Sequence, residues 1–340
     1  MARRPRASAR PLQSSLPGPR GQCPLIDEVP AELLKADIDQ LPPGQRLVDS
    51  GGLEVYWAHA AQLRQVLREI GRLRELTFRA VGEGSGKSAD IDAFDSYYLH
   101  LFVWDARARK IVGAYRLGLV QEILSRYGKR GLYTHSLFRY GPQILDMLEP
   151  AIELGRSFVR PEYQRGFAPM LLLWRGIARF IEACPQFAVL FGPVSISNSY
   201  SGASRELIVE YLSAHAPEPR MVRHVQPRRP FRHEPRASGL ATPVPDSLEE
   251  LSRMIAAIEP DRKGIPILLR QYLRLGGRII GFNVDDAFGN VLDGLLVVDL
   301  RDIDSAVLER YMGRPAMIAF RAYHALECEF RQCASGAAAS

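Results

Sequence analysis

The chain has 340 residues, of which 46% are apolar and 24% charged, and its formal net charge is +6. This length and composition give room for one large or two ordinary domains with a real core, and no apolar run approaches the roughly 18–20 residues of a membrane-spanning helix. The four cysteines have no CxxC or disulfide-framework spacing, and the histidines form no metal-like cluster. We therefore expect a reduced, cytoplasmic protein without a metal site.

The positive charge is concentrated in two Arg/Pro-rich tracts. Residues 1–22 contain five arginines and no acid, and residues 220–236 contain six arginines against one glutamate. Outside these tracts the chain has four more acidic than basic residues, so the core is mildly acidic. The tracts suit an anionic partner, such as a membrane surface, an acidic carrier protein or RNA, or they are solvated segments with no partner. RNA ranks last because interleaved aromatic residues are lacking, and we expect no nucleic-acid binding.

The first half of the chain alternates strand and helix patterns after a tail. Residues 1–25, rich in Arg and Pro, predict a disordered tail. Hydrophobic periodicity then predicts a strand at 53–58, a helix at 60–80, a hairpin of strands at 97–104 and 110–119, and a helix at 121–127.

The second half opens with an apolar strand at 151–159, which should stop at Arg160-Pro161 because proline cannot donate to a sheet. The later elements are a helix at 168–183, a strand at 187–196, helices at 204–212, 247–258 and 266–275, strands at 278–284 and 291–298, and a helix at 304–312. This order predicts an α/β protein whose mixed sheet is covered by helices on both faces. We expect one domain over 26–325 with a basic insertion at 216–245, and a disordered tail at 326–340.

An acid and an arginine lie three residues apart on the strand predicted at 151–159. Glu153 and Arg156 are unusual there because an unpaired charge is costly to bury, so they either form a structural ion pair or line a cleft. The element order brings four further charged residues toward the same cleft: Arg74, Asp92, Asp95 and Arg116. These six charges balance, which suits a structural network and also a site that holds a zwitterionic amino acid and removes a proton from its amine.

The spacing of these residues resembles the signature of the acyl-homoserine-lactone synthases, which bacterial N-acyltransferases that form ornithine lipids share. The matching positions are Arg74-x-x-x-Phe78, Asp92-x-x-Asp95, Arg116 and Glu153-x-x-Arg156-x-Phe158. The closing stretches at 263–277 and 293–299 resemble the N-acyltransferases, some of which are called hemolysin-like, and not the lactone synthases. The resemblance covers roughly residues 50–313.

The resemblance implies a GNAT-like three-layer α/β/α sandwich with a mixed central sheet. It also implies an N-acyltransferase that moves a (3-hydroxy) fatty acyl group from acyl carrier protein to the α-amine of an amino acid. Ornithine is the family's usual acceptor and would give a lyso-ornithine lipid, whereas glycine, lysine and glutamine stay open. No bound cofactor is expected. Acyl-CoA is the less favoured donor, because Tyr163 stands where the acetyltransferase pyrophosphate loop has Gln or Arg before Gly166.

The same resemblance implies roles for individual residues. Glu153 would take the proton from the amine, directly or through one water, while backbone N–H groups of its strand polarise the thioester carbonyl. Three arginines would hold the carboxylates, and one of them would receive the acceptor's carboxylate. The expected catalytic residues are Glu153, Arg156 and Arg116, and the expected substrate-binding residues are Arg74, Phe78, Asp92, Asp95 and Phe158. Both phenylalanines also suit the core.

Two alternatives remain at this level. A lactone synthase would release a lactone from S-adenosylmethionine. A non-catalytic module that binds acyl carrier protein or a membrane would use the charged residues only as structure. In every case the Arg-rich tracts could meet an acidic carrier or the inner face of an anionic membrane.

Overall fold

The computed structural model describes residues 22–148, 150–165, 168–215, 218–232 and 244–337. Its strands are β1 Arg46–Ser50, β2 Leu53–His59, β3 Leu99–Asp105, β4 Lys110–Leu119, β5 Phe138–Tyr140, β6 Ala151–Val159, β7 Val189–Ile196, β8 Val225–Pro227, β9 Arg278–Asp285 and β10 Val291–Asp299. Its helices are α1 Ala31–Asp39, α2 Arg64–Ala80, α3 Val120–Tyr127, α4 Pro142–Leu148, α5 Ala168–Ala183, α6 Gly202–His215, α7 Pro219–Val222, α8 Leu248–Ile258, α9 Ile267–Arg274, α10 Ser305–Met312 and α11 Arg314–Ala337.

Eight strands form one mixed sheet in the order β1-β2-β3-β4-β6-β7-β10-β9, and β5 pairs with β8 in a separate small sheet. Within the large sheet every neighbouring pair is antiparallel except β6 and β7. Because consecutive parallel strands need a crossover, helix α5 connects these two strands. The predicted mixed sheet is confirmed.

Helices cover both faces of the sheet. On one face α5 packs against strands β1 to β4, and its Gly176 lies close to Val55 of β2 and Leu101 of β3. On the other face α2 buries Val66, Ile70 and Leu73, which are spaced four and three residues apart on one side of the helix. The predicted three-layer α/β/α sandwich is therefore confirmed.

Strands β6 and β7 are paired over a short length only. Their parallel register runs from Ala151–Val189 to Glu153–Phe191, although both strands continue beyond these residues. Gly192 lies where they separate, and a Cβ atom there would come within 2.0 Å of the Leu154 carbonyl oxygen. Only glycine fits this approach. Beyond it the sheet contains an opening.

A bulge in β6 lies beside this opening. The register between β4 and β6 shifts between Ala114 and Arg116, and Arg156 has a φ of 52°, in the left-handed region. The irregularity changes the alternation of side chains along β6. Phe158 therefore packs in the apolar cluster under α2, on the sheet face that carries Glu153.

Several elements differ from the sequence prediction. Elements α1, β1, α4, β5 and β8 were not predicted, because each is short or lacks clear periodicity. The described residues of the basic insertion predicted at 216–245 pack onto the rest of the domain. Strand β8 pairs with β5. The Arg229 backbone N–H donates to Asn283 Oδ1 (2.8 Å), and Pro230 forms a β-bridge with Asn283. Most of the stretch predicted as a disordered tail at 326–340 instead continues α11, which ends at Ala337.

Some predicted features lie outside the described residues. They are residues 1–21 of the N-terminal tail, residues 233–243 of the insertion, and Gly166 in the loop before α5. Within the described part of the chain, no helix has both the length and the apolar character needed to cross a bilayer.

Candidate active site

The innermost ion pair joins α2 to the turn before β3. Arg74 donates two hydrogen bonds of 2.9 Å to the carboxylate of Asp95, and a third to the backbone oxygen of Asp90. The side chains of Arg74 and Asp95 are 1% and 2% exposed. Burial alone would raise the pKa of Asp95, but the charges of Arg74 and Arg116 hold it well below its usual range. Asp95 is therefore an ionised, buried anchor.

Asp92 and Asp95 cap the same turn reciprocally. The Asp92 carboxylate accepts from the backbone N–H of Phe94 (2.9 Å), while the Asp95 carboxylate accepts from the backbone N–H of Asp92 (2.8 Å). Arg116, on β4, donates to Asp92 Oδ1 (2.7 Å) and lies 3.4 Å from Asp95 Oδ1. The Asp-x-x-Asp spacing is thus a capping box whose two carboxylates face one guanidinium.

Aromatic rings surround the Arg116 guanidinium. Its central carbon lies 5.5, 5.1 and 5.3 Å from the ring centroids of Phe94, Tyr98 and Tyr133. Within the described residues, Arg116 Nε and Nη2 have no hydrogen-bond partner, and the rings add cation–π contacts to the attraction of Asp92 and Asp95. Arg116 is a buried structural cation, 1% exposed.

Glu153 is held by groups other than the arginines. Its carboxylate accepts from the Tyr98 hydroxyl, from the backbone N–H of Tyr133 (3.1 Å) and from the backbone N–H of Thr134 (2.6 Å). Burial raises its pKa above the usual value, against the opposing effect of these hydrogen bonds. The predicted contact between Glu153 and the three arginines is not observed. The arginines pair with Asp90, Asp92 and Asp95, and no arginine of the described chain lies within 4 Å of the Glu153 carboxylate.

Arg156 extends from the bulge of β6 to the edge of the cluster. Its Nε lies 3.2 Å from Asp90 Oδ2, and its Nη1 donates to the Tyr133 hydroxyl (3.2 Å). The guanidinium stacks between the rings of Tyr133 and Phe288, with centroids at 4.7 and 4.3 Å. Its Nη2 also lies 3.6 Å from Asp92 Oδ2, so two aromatic faces and two carboxylates fix the position of the Arg156 guanidinium.

Arg156 lines a cavity of about 150 Å³ in the opening between β6 and β7. The residues around it come from six parts of the chain: Phe78, Glu83, Tyr133, Arg156, Ser157, Pro193, Val194, Ser195, Leu268, Asp285, Phe288, Val291 and Asp293. Of the eight predicted site residues, Arg156 and Phe78 line the cavity. The other six lie behind it, and Phe158 is part of the core, 3% exposed.

Three acids that were not predicted as site residues lie on the cavity wall: Glu83, Asp285 and Asp293. Asp293, on β10, is 2% exposed and accepts a hydrogen bond from Ser195 Oγ to its Oδ1 (2.7 Å). Burial raises the pKa of Asp293 to about 7, helped by Asp285 and Glu83, and burial raises that of Glu83 to about 7 as well. A cation bound in the cavity would favour the charged forms of Asp293 and Glu83.

Asp293→Asn is expected to stabilise the empty protein at alkaline pH. An acid whose pKa is raised in the folded state is protonated in both states below its unfolded value near 4. Its burial penalty grows as pH rises from about 4 to about 7 and is constant above that. The variant lacks this penalty. Its free energy of unfolding should exceed that of the wild type by about 1–4 kcal/mol at pH 8 and by little at pH 4.

Urea unfolding at the two pH values measures this difference. Asp302→Asn, at an exposed position, is the matched control and should unfold as the wild type does at both. The prediction would be wrong if the stability gain of Asp293→Asn over the wild type were smaller at pH 8 than at pH 4.

Other residues of the site were also absent from the prediction. Asp90, Tyr98 and Tyr133 were missed because their contacts depend on tertiary folding across 16 to 55 residues of chain. Asp293 is the first residue of the stretch 293–299 that resembles the N-acyltransferases, and this resemblance could have identified it as a site residue. Within the described residues, no three His, Cys, Asp or Glu side chains are grouped as metal ligands.

Comparisons with known proteins agree with this architecture. Residues 73–174 match the family model for the acetyltransferase (GNAT) domain. A glycine N(alpha)-acyltransferase from Bacteroides thetaiotaomicron is 31% identical over 80% of this chain and 85% of its own length. An L-ornithine N(alpha)-acyltransferase from Rhodobacter capsulatus is 30% identical over 76% of this chain and 95% of its own.

Among solved structures, a CoA-dependent acyl-homoserine lactone synthase aligns over 79% of this chain and 99% of its own, with a TM-score of 0.37 and 13% identity. The residues matched by the family model, 73–174, include the charged cluster described above. On their identity and coverage, this chain belongs to the GNAT-type amino-acid N(alpha)-acyltransferases and is an acyltransferase.

Proposed function

We propose that the protein transfers a (3-hydroxy) fatty acyl group from acyl carrier protein to the α-amine of ornithine, forming a lyso-ornithine lipid. The observation that carries this proposal is the charge pattern of the cavity, which has Arg156 on one wall and Glu83, Asp285 and Asp293 on another. Ornithine brings one carboxylate and two ammonium groups. Its charges are therefore complementary to one cation and several acids.

Arg156 is the best placed group for the acceptor's carboxylate. It is the arginine of the predicted trio that lines the cavity, while Arg74 and Arg116 lie behind it. Its planar guanidinium is held between two rings, and its Nη2 lies 3.6 Å from Asp92, a longer separation that an incoming carboxylate could replace. This supports recognition of an α-amino acid rather than a simple amine.

The opening between β6 and β7 suits the acyl thioester. Beyond Glu153 the two strands no longer pair, so backbone donors there are not used by a strand ladder between them. Such donors would stabilise the oxyanion that forms when the amine attacks the thioester carbonyl. Phe78, Leu268 and Phe288 line the same cavity and offer apolar contacts to the start of the acyl chain.

An acidic carrier protein as donor is supported by the distribution of charge. The Arg-rich insertion is partly folded onto the domain beside β9, where Arg229 pairs with Asp286 (2.7 Å). The same positive charge would allow peripheral contact with an anionic membrane surface, where the lipid product would be delivered.

Glycine is the second candidate acceptor. It is favoured by the relative from Bacteroides thetaiotaomicron, whose name gives glycine as its acceptor and which matches more of this chain, at slightly higher identity, than the ornithine enzyme does. Glycine has no side-chain ammonium, so it would bring one cation to the cavity where ornithine brings two.

The test is an acylation assay with purified full-length protein and 3-hydroxyacyl carrier protein. Ornithine, glycine, lysine, glutamine and 1,4-diaminobutane are offered separately, and N-acyl products are identified by mass spectrometry. We expect N-acylornithine as the main product and almost none from 1,4-diaminobutane, which lacks the carboxylate that Arg156 would bind.

Other outcomes separate the alternatives. A product with glycine only would assign the second candidate function. A lactone released from S-adenosylmethionine would indicate a lactone synthase instead. Transfer from acyl-CoA at a rate equal to that from the carrier protein would contradict the proposed donor, and no acylated amino acid with either donor would refute the proposed function.

A further inference from the structure

Acylation of an amino acid needs a base, because an α-ammonium group must lose a proton before its nitrogen can attack. The base must reach the amine in the cavity. Glu153, the residue expected for this role from sequence, is 1% exposed and is not among the residues that line the cavity. Both of its oxygens accept hydrogen bonds, and Tyr133 contacts it through its backbone while lining the cavity with its side chain.

Asp293 meets the requirements that Glu153 does not. It lines the cavity on the strand next to β7, in register with Ser195, so it faces the opening where β6 and β7 separate. Ser195 fixes one carboxylate oxygen by donating to Oδ1, and Oδ2 receives no hydrogen bond from any described residue. One oxygen is thus positioned and the other is available to a ligand.

We propose that Asp293 is the general base that takes the proton from the acceptor's amine. This assignment rests on the proposed function and names a catalytic residue for it. Glu153 then acts as a positioning residue, which holds Tyr98 and the backbone of Tyr133 behind the cavity.

The steps balance as follows. The ammonium transfers one proton to the Asp293 carboxylate, and the neutral amine attacks the thioester carbonyl to form the C–N bond. The tetrahedral intermediate collapses, the C–S bond breaks, and the thiolate leaves with the bonding electron pair. The second amine proton goes to that thiolate, giving an amide and a thiol. Asp293 releases its proton to solvent through the open side of the cavity.

Burial is the largest cause of the raised pKa of Asp293, and the groups around it adjust that pKa further. Arg156 of β6 and the Ser195 hydroxyl favour its charged form, while Asp285 of β9 and Glu83, after α2, disfavour it. The remaining titratable group there is the Tyr133 hydroxyl, whose pKa burial raises to about 12, so it is neutral at physiological pH. The pKa of about 7 for Asp293 is well matched to a base that works near neutral pH.

The experiment measures kcat and kcat/KM between pH 5.5 and 9.5 for the wild type and for Asp293→Asn, Ser195→Ala and Glu83→Gln, with each amino acid that the wild type acylates. Activity of the wild type should fall below about pH 7 as Asp293 becomes protonated. Asp293→Asn should lose about 100- to 10,000-fold in kcat with every such acceptor, and its residual rate should lack this acid limb.

The variants Ser195→Ala and Glu83→Gln should shift the pH of the acid limb in opposite directions. Ser195→Ala removes a hydrogen bond that favours the carboxylate and should move the acid limb to higher pH. Glu83→Gln removes a nearby negative charge and should move it to lower pH. These shifts test the assignment even if Asp293→Asn should fail to fold, which circular dichroism would reveal. Asp302→Asn, at an exposed position, should keep the wild-type profile.

Three results would overturn the assignment. The first is an Asp293→Asn variant that retains kcat and its acid limb. The second is an Asp293→Asn variant with unchanged kcat and a raised KM for ornithine alone, which would mean that Asp293 binds the side chain of ornithine and is not the base. The third is a limb that Glu83→Gln abolishes, which would make Glu83 the base. A wild type that acylates no amino acid would instead refute the proposed function, and this assignment with it.

Discussion

Arg74→Ala should lower the free energy of unfolding by about 3–5 kcal/mol. The substitution removes both hydrogen bonds to Asp95 and the donor to the Asp90 carbonyl, all in a region where Arg74 is 1% exposed. Asp95 then remains a buried carboxylate with only Arg116 nearby, at 3.4 Å. The cost comes from the uncompensated charge more than from the lost contact itself.

Urea unfolding at neutral pH is the measurement. The matched control is Arg179→Ala, which removes an arginine whose pair with Glu182 lies on an exposed helix surface, and it should cost less than about 1 kcal/mol. If both arginine variants lost the same small amount, the buried ion network would not be the structural centre of the fold.

Glu153→Ala should lower kcat/KM at least about 100-fold, together with a loss of stability of about 2–4 kcal/mol. Three donors lose the carboxylate as an acceptor at once: the Tyr98 hydroxyl and the backbone N–H groups of Tyr133 and Thr134. Tyr133 also lines the cavity and contacts Arg156, so a shift of its turn misplaces the group expected to bind the acceptor.

The pH profile of the residual activity separates this role from that of a base. A positioning role leaves the acid limb in place at a lower rate, because Asp293 is untouched. Glu182→Ala, at an exposed glutamate, serves as the control and should change neither property. A fully stable Glu153→Ala protein whose residual rate has lost the acid limb would return the role of base to Glu153.

The sequence was sufficient for the parts of the site that lie on strongly patterned elements. The strand predicted at 151–159 has the observed bounds, because an apolar run ends there at Arg160-Pro161. The spacings Arg74-x-x-x-Phe78 and Asp92-x-x-Asp95 predict residues of a single site. In the structure Arg74, Asp92 and Asp95 form ion pairs in one cluster with Arg116 and Arg156.

The sequence was insufficient where the site depends on register and on irregular backbone. Which side chains face the opening is decided by the bulge of β6 at Arg156 and by the early end of β6–β7 pairing at Glu153. A pattern of alternating residues cannot locate such a bulge. Asp293 and Glu83 reach the cavity from opposite ends of the chain, so no local spacing connects them with Arg156.

The most direct test of the central claim is a crystal structure of the protein with its N-acyl amino acid product. We expect the amide in the opening between β6 and β7, the product carboxylate at about 3 Å from the Arg156 guanidinium, and the amide nitrogen within hydrogen-bond reach of Asp293. A product bound elsewhere, for example in the apolar groove that Trp174 and Tyr311 line beneath α5 and α10, would contradict the claim that this opening is the active site.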